Sequence, residues 1–314
     1  MSSLRVRLRK FISARFLRGT ENMAGDTASE RMGQLQVPPS LEQIPKLARY
    51  QLREYLRSRR FVSLTLIILV IGLIISAVVG YYRGGLVSSV LGFYGSFWGG
   101  GIGLIVVLAA VFFGGDAIAG EFQNRTGYFL MGLPIRRSTV YTGKFIAAFI
   151  ASSTMVLLYF VILLANGVYY FGVNAFPWQL GLSLILALIY LSSVLGATFL
   201  FSSLFKTSAY GFVLTAILFL FGFTLLEDLI SRLVNIEPWM VISYASSTIG
   251  GVFVPAINWG FAGTISHVHT LIGRRVVTTT LYVSGIGEGV LIMIVYLVLT
   301  AIAGLWLFER EEFS

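Results

Sequence analysis

Six long runs of apolar residues dominate the pattern of hydrophobic and polar positions along the chain. A helix that crosses about 30 Å of hydrocarbon needs about twenty consecutive, mostly apolar residues. The strands of a membrane β-barrel would instead show about ten residues of alternating polarity. The pattern therefore predicts an all-α integral membrane protein with six transmembrane helices. The predicted spans lie near residues 61–80, 96–115, 144–166, 180–204, 208–227 and 288–308.

Composition agrees with this class. Of the 314 residues, 56% are hydrophobic and 12% are charged, whereas about 25% are charged in a typical soluble domain. The sequence contains no cysteine, so a disulfide framework and a thiolate metal site are both excluded.

The distribution of Lys and Arg predicts how the spans are oriented, because cytoplasmic loops near helix ends retain positive charge. Of the 23 Lys and Arg residues, 13 lie in residues 1–60 and four in residues 116–144. With six spans, this predicts a multi-pass protein of the plasma membrane with both termini in the cytoplasm. The net charge of +9 then reflects topology and contact with anionic lipid, and we expect no nucleic-acid partner.

Two basic segments precede the first span. Residues 1–19 contain no acid, which is typical of a helix on a membrane surface and also of an organelle presequence. We assign residues 1–40 to a basic extension and linker.

Residues 41–60 show stronger periodicity, with apolar side chains at helical spacing and basic side chains on the other faces. This pattern predicts an interfacial amphipathic helix that leads into the first span. A solvated basic juxtamembrane helix is the alternative interpretation. The interfacial-helix residues are Leu47, Arg49, Leu52, Arg53 and Arg57.

Three glycines of the second predicted span lie four residues apart, at Gly95, Gly99 and Gly103. This spacing places them near one helix face, where small residues let membrane helices approach closely. We therefore predict a packing role, and helix sliding during transport is the alternative.

The segment between the second and third spans, residues 116–143, combines charged, aromatic and aliphatic side chains. Asp116 and Glu121 precede a short, partly apolar stretch that Pro134 helps to terminate. So much apolar surface is not expected to remain in water. We expect the segment to dock on the membrane surface or on a partner protein.

The order of residues in this segment resembles the permease of the ABC-2 type transporter family. An acid is followed by Gly-Glu, a Thr, then Leu-Pro-Ile-Arg-Arg, and Gly-Lys opens the next span. The resemblance covers the plan of residues 41–314 and implies a six-span permease domain at 61–314, with a coupling helix in residues 116–143 that sits in a groove of an ATPase. Arg125 departs from the pattern, since a Gly usually precedes the Thr. The predicted ATPase-coupling residues are Asp116, Glu121, Phe122, Arg125, Thr126, Tyr128, Pro134, Arg137 and Lys144.

Several of these residues also suit roles that need no partner protein. Glu121 would interact favourably with the positive end of a helix, or pair with a basic residue of a partner. Arg136, Arg137 and Lys144 would equally suit lipid phosphates at the membrane edge.

The sequence contains no G-x-x-x-x-G-K-[ST] phosphate loop. We therefore expect no enzyme activity and no cofactor on this chain, with ATP and Mg bound by a separate ATPase. The resemblance implies two ATPase chains and a second permease chain, identical or related. Nearly uncharged spans disfavour a proton-coupled pump and fit export of an amphipathic, lipid-like or drug-like substrate. A membrane scaffold and an ATP-independent secondary transporter are the alternatives.

The predicted external segment, residues 228–287, has mixed signals. The stretch VVTTTLYVS indicates a strand, whereas the family resemblance implies short re-entrant helices. His267 and His269 would share one face of a strand, but two His are an incomplete ligand set for a metal. We favour surface or packing roles for both.

Overall fold

Six helices in the described part of the computed structural model are long and apolar enough to cross a membrane. The structure describes residues 40–81, 89–123, 135–173, 176–205, 207–254, 257–272 and 275–310. The predicted helical membrane fold is confirmed, while the extension at residues 1–39 lies outside the described residues. Spans 1 to 6 are Arg59–Tyr81, Val90–Gln123, Arg137–Phe171, Gln179–Leu204, Ser208–Val234 and Ile286–Arg310.

Helix α1 (Ser40–Arg57) precedes span 1 and is separated from it by Ser58. The Ser58 hydroxyl donates to the Tyr55 carbonyl at 2.6 Å and accepts the Phe61 N–H at 3.2 Å. One serine thus satisfies backbone groups at the end of one helix and the start of the next.

Spans 2 and 5 are not uniform α-helices. Span 2 contains a π-helical turn at Gly95–Gly99, runs on as Gly100–Gly114, and ends after a turn with the short helix Ala119–Gln123. Span 5 contains π-helical turns at Leu218–Gly222 and Ile230–Val234. Such turns are rare and widen a helix locally.

Burial divides the spans into an inner and an outer group. The most apolar window of span 2 is 72% buried and that of span 4 is 61% buried, against 17% for spans 1, 5 and 6. Span 4 packs mainly against spans 6 and 2. The outer spans therefore present long apolar faces, as expected for helices surrounded by lipid.

The 228–287 segment contains both a short helix and a hairpin. Helix α2 (Ile242–Gly251) buries Tyr244, Ala245 and Ile249. Strand β1 (Thr264–Ile272) pairs antiparallel with β2 (Arg275–Val283), which confirms the strand predicted from VVTTTLYVS. The helix packs on spans 2, 4 and 6.

The helices extend beyond the predicted span limits. Span 3 begins at Arg137 rather than near residue 144, and span 2 continues to Gln123 rather than ending near residue 115. The apolar runs underestimate the lengths of these helices, because polar residues beyond the end of each run continue the helical backbone. Part of the predicted 116–143 segment therefore belongs to spans 2 and 3.

Candidate coupling site

The end of span 2 and the start of span 3 bracket the predicted coupling segment. Among the predicted residues, Arg125, Thr126, Tyr128 and Pro134 lie outside the described residues. The structure describes the remaining five, Asp116, Glu121, Phe122, Arg137 and Lys144, and gives each a place in the bundle.

Glu121 and Lys144 form an ion pair with each other. Lys144 is 4% exposed, and its Nζ also donates to the Ala117 carbonyl at 2.8 Å. A buried ammonium group requires such partners because desolvation of a charge is costly. The pair fastens the end of span 2 to the first turns of span 3.

Asp116 pairs with a residue that the sequence pattern did not single out. Its Oδ2 accepts from Arg60 Nη1 at the start of span 1. The Arg60 side chain is 50% exposed, and that of Asp116 is 16% exposed. The end of span 2 is therefore held to span 1 as well as to span 3.

Three hydrogen bonds between neutral groups fix the end of span 2 to spans 4 and 5. Ser202 Oγ accepts the N–H groups of Ile118 and Ala119, each at 3.0 Å. The N–H groups at a helix start have no partner within the helix, and the hydroxyl supplies one. Gln123 Oε1 accepts the Ser208 N–H at 2.9 Å. The sequence pattern did not single out Ser202, although its polarity in an apolar run was an available signal.

Arg137 connects the start of span 3 to the end of span 6. Its Nη1 donates to the Glu309 carbonyl at 2.8 Å and to the Phe308 carbonyl at 3.4 Å. A cation at this position interacts favourably with the negative end of the helix dipole. Arg137 thus has a structural role within this chain.

Phe122 packs at the edge of the hydrophobic core. The aromatic side chain predicted for a partner interface is thus partly covered by the bundle itself.

Helix α1 turns its apolar face toward the bundle. The Tyr55 ring packs edge-on against Phe113, with centroids 5.5 Å apart. Leu47 lies against Gly143, where an added Cβ would come within 2.7 Å of Leu47 Cδ2. Leu52 also packs on the core. The amphipathic pattern predicted an apolar face, and in the structure protein covers that face.

The basic residues of α1 remain on its outer side. Arg49, Arg53 and Arg57 are exposed. The outer side of α1 therefore carries a row of exposed positive charges. Its inner side packs on the bundle through Leu47, Leu52 and Tyr55.

Burial and the negative charge of Asp116 raise the pKa of the Tyr55 phenol. The hydroxyl therefore stays protonated and remains a donor at physiological pH. It has no hydrogen-bond partner among the described residues.

The three glycines of span 2 all face α2 and the residues that follow it. A Cβ on Gly99 would lie 2.5 Å from Gly250 Cα, so only glycine fits there. A Cβ on Gly95 would lie 3.4 Å from Phe253 Cβ, which is a tight contact. At Gly103 the corresponding distance is 3.8 Å, to Ser246 Oγ, an ordinary contact.

The two histidines of the predicted external segment lie on strand β1. His267 lies opposite Thr280 and His269 opposite Thr278 in the hairpin, while the side chains of both His lie outside the described part. Within that part, no three His, Asp or Glu side chains are grouped closely enough to hold a metal ion.

A known protein family matches most of the chain. The model of a family described as ABC-2 family transporter protein matches residues 46–313. The match begins in α1 and includes all six spans. No curated protein matches the chain.

Proposed function

Because the chain belongs to the ABC-2 family of transporter proteins, we propose that a separate ATPase drives this membrane-spanning permease to export an amphipathic substrate. The attachment of the end of span 2, residues 116–123, at several points supports this proposal. Asp116 joins this end to span 1, and Glu121 joins it to span 3. Ser202 and Gln123 join it to spans 4 and 5.

Because of these attachments, a displacement of the coupling segment would move several spans together. A flexible loop would absorb such a displacement, whereas a helix end that is held by two ion pairs and by hydrogen bonds to its backbone passes the displacement on. In this proposal, closure of the ATPase moves the segment and α1, and the permease then opens toward the opposite side.

Assembly and orientation are part of the same proposal. Two ATPase chains and a second permease chain, identical or related, complete the transporter. The concentration of Lys and Arg in residues 1–60 and 116–144 supports a cytoplasmic position for both segments in the plasma membrane. ATP and Mg bind the ATPase chains.

The substrate class is inferred from the character of the spans. Apart from Lys144, the buried polar groups of the described spans are uncharged, namely Ser, Thr and Tyr hydroxyls and the Trp98 indole N–H. Such surroundings suit an amphipathic or lipid-like molecule better than a hydrated ion.

Affinity purification from gently solubilised native membranes tests the proposal. We expect mass spectrometry to identify an ATPase with a phosphate-binding loop beside the tagged chain. Absence of any ATPase, under conditions in which the bundle remains folded, would contradict the proposed function.

A charge exchange distinguishes two roles of Glu121 in this assembly. Glu121→Lys places two cations together and should reduce ATPase recovery. The double variant Glu121→Lys/Lys144→Glu restores an opposite-charge pair. Recovery of the ATPase by the double variant indicates that Glu121 acts through Lys144, whereas continued loss indicates that Glu121 touches the ATPase.

A further inference from the structure

A cleft opens between spans 1, 2 and 5 at the coupling end of the bundle. Its volume is about 330 Å³, within the range of about 300–1,000 Å³ found for small-molecule sites. Spans 1 and 5, which border it, are among the least buried spans. The cleft is lined by Arg60, Phe112, Asp116, Ser208, Ala209, Phe212 and Val213.

The lining changes from polar to apolar along the direction of the spans. Arg60 and Ser208 lie in the first turns of spans 1 and 5, and Asp116 lies in the turn near the end of span 2. Phe112 and Phe212 lie one turn further in, and their rings pack edge-on with centroids 5.5 Å apart. A phospholipid has the same order of polarity, from headgroup to acyl chain.

The polar end of the cleft carries one charge of each sign. Arg60 Nη1 bonds Asp116, but a guanidinium has five N–H donors in all. The half-exposed Arg60 side chain therefore has donors left for a phosphate, which arginine binds well. Arg60 and Asp116 together carry no net charge, so a bound ligand with a single negative charge would make the polar end of the cleft negative. A zwitterionic headgroup keeps it neutral, because its phosphate faces Arg60 and its ammonium group faces Asp116.

We propose that the cleft binds a zwitterionic phospholipid of the surrounding leaflet, with the phosphate on Arg60 and the ammonium group toward Asp116. The first part of an acyl chain lies against Phe112, Phe212 and Val213. Asp116 is a positioning residue that orients Arg60. The cleft is also the position at which a lipid-like substrate enters the permease. This role rests on the proposed transport function.

Photolabelling of the full chain in nanodiscs tests the site. The probe is phosphatidylcholine with a diazirine close to the glycerol end of one acyl chain, and phosphatidylglycerol with the same diazirine is its comparison. We expect labelled peptides that contain Phe112 or Val213. Phosphatidylcholine should label them several-fold more than phosphatidylglycerol.

Two substitutions and their matched controls locate the binding. Arg60→Gln removes the phosphate ligand and should lower labelling about tenfold, since hydrogen bonds to charged groups are the stronger ones. Ala209→Phe fills the cleft without touching the ion pair and should lower labelling similarly. Arg59→Gln and Leu214→Phe change neighbouring residues that do not line the cleft and should leave labelling unchanged.

Three results would overturn the proposal. They are labelling outside the cleft, labelling that persists in Ala209→Phe, and equal labelling by the two lipids. The assay requires no ATPase, so its failure leaves the ATPase purification unaffected. Conversely, cleft labelling without a copurified ATPase would support the lipid site while contradicting the transporter.

Discussion

The two ends of span 2 are held in the bundle by different kinds of interaction. At the coupling end, Asp116 and Glu121 form ion pairs with Arg60 and Lys144. At the other end, Gly99 approaches Gly250 of α2 so closely that a Cβ would lie 2.5 Å from the Gly250 Cα.

The hydrogen bonds that link span 2 to α2 through span 4 involve neutral groups. Trp98 Nε1 donates to Ser183 Oγ at 2.8 Å, and that hydroxyl donates to the Ile249 carbonyl at 2.6 Å. Thr248 Oγ1 and Ser284 Oγ lie 2.6 Å apart. The chain of bonds through Ser183 joins span 2, span 4 and α2.

The two ends should therefore respond to different perturbations. A buried charge that loses its partner is strongly destabilising, so the coupling end should be sensitive to charge. A backbone contact between glycines leaves no room for a methyl group, so the α2 end should be sensitive to side-chain volume. In the proposed mechanism, movement begins at the coupling end of span 2. The ion pairs at that end can exchange partners, while the contact between Gly99 and Gly250 keeps its shape.

The largest expected effect follows loss of the Lys144 ammonium. Lys144→Met removes the ion partner of Glu121 and should cost about 3–5 kcal/mol of unfolding free energy, measured by thermal or denaturant unfolding in detergent. Adding Glu121→Gln removes the remaining charge and should recover part of that loss. A single-variant cost below about 1 kcal/mol, typical of exposed pairs, would contradict the buried-pair interpretation.

A methyl group at Gly99 should have the next largest effect. Gly99→Ala forces span 2 and α2 apart and should cost about 1–3 kcal/mol. Gly100→Ala is the matched control, because a Cβ there meets nothing within 4 Å and alanine favours a helix. Equal unfolding temperatures of the two variants would show that the glycine contact does not limit packing.

Removal of the Ser183 hydroxyl should be somewhat milder. Ser183→Ala leaves the buried Trp98 N–H without its acceptor and should cost about 1–2 kcal/mol. Ser192→Ala is the control in the same span, since its hydroxyl bonds within one helical turn, to Ile189 O. Tryptophan fluorescence during unfolding reports both variants, and an unchanged Ser183→Ala would refute the role of this bond.

The smallest effect is expected at Arg137. Arg137→Gln removes a cation from the C-terminal end of span 6 and should cost about 0.3–1 kcal/mol. The loss should shrink as salt is added, because salt screens partly exposed charges. A salt-independent loss of the same size would indicate that the hydrogen bonds to Phe308 and Glu309, rather than the charge, are responsible.

The helical spans could be predicted from the sequence because an apolar run of about twenty residues is the typical mark of a membrane-spanning helix. The strand β2 could be predicted as well, since β-branched residues are concentrated there. The limits of span 3 were missed because Arg137 and Lys144 interrupt the apolar run while the helix continues through them.

The contacts between side chains were harder to predict than the secondary structure. Asp116, Glu121 and Lys144 could be identified from the motif, but their partners depend on which spans are neighbours, and periodicity carries no such information. Likewise, an apolar helix face looks the same in sequence whether lipid or protein covers it. Leu47 and Leu52 of α1 were therefore assigned to an interfacial helix, and in the structure both pack against the bundle.

Hydrogen–deuterium exchange of the purified complex tests the central claim that an ATPase docks on the coupling segment. The permease alone is compared with the permease bound to its copurified ATPase. We expect binding to slow exchange in residues 119–143 and in the outer face of α1, while α2 is unchanged. Protection confined to other regions, or none in residues 119–143, would contradict the coupling role of this segment.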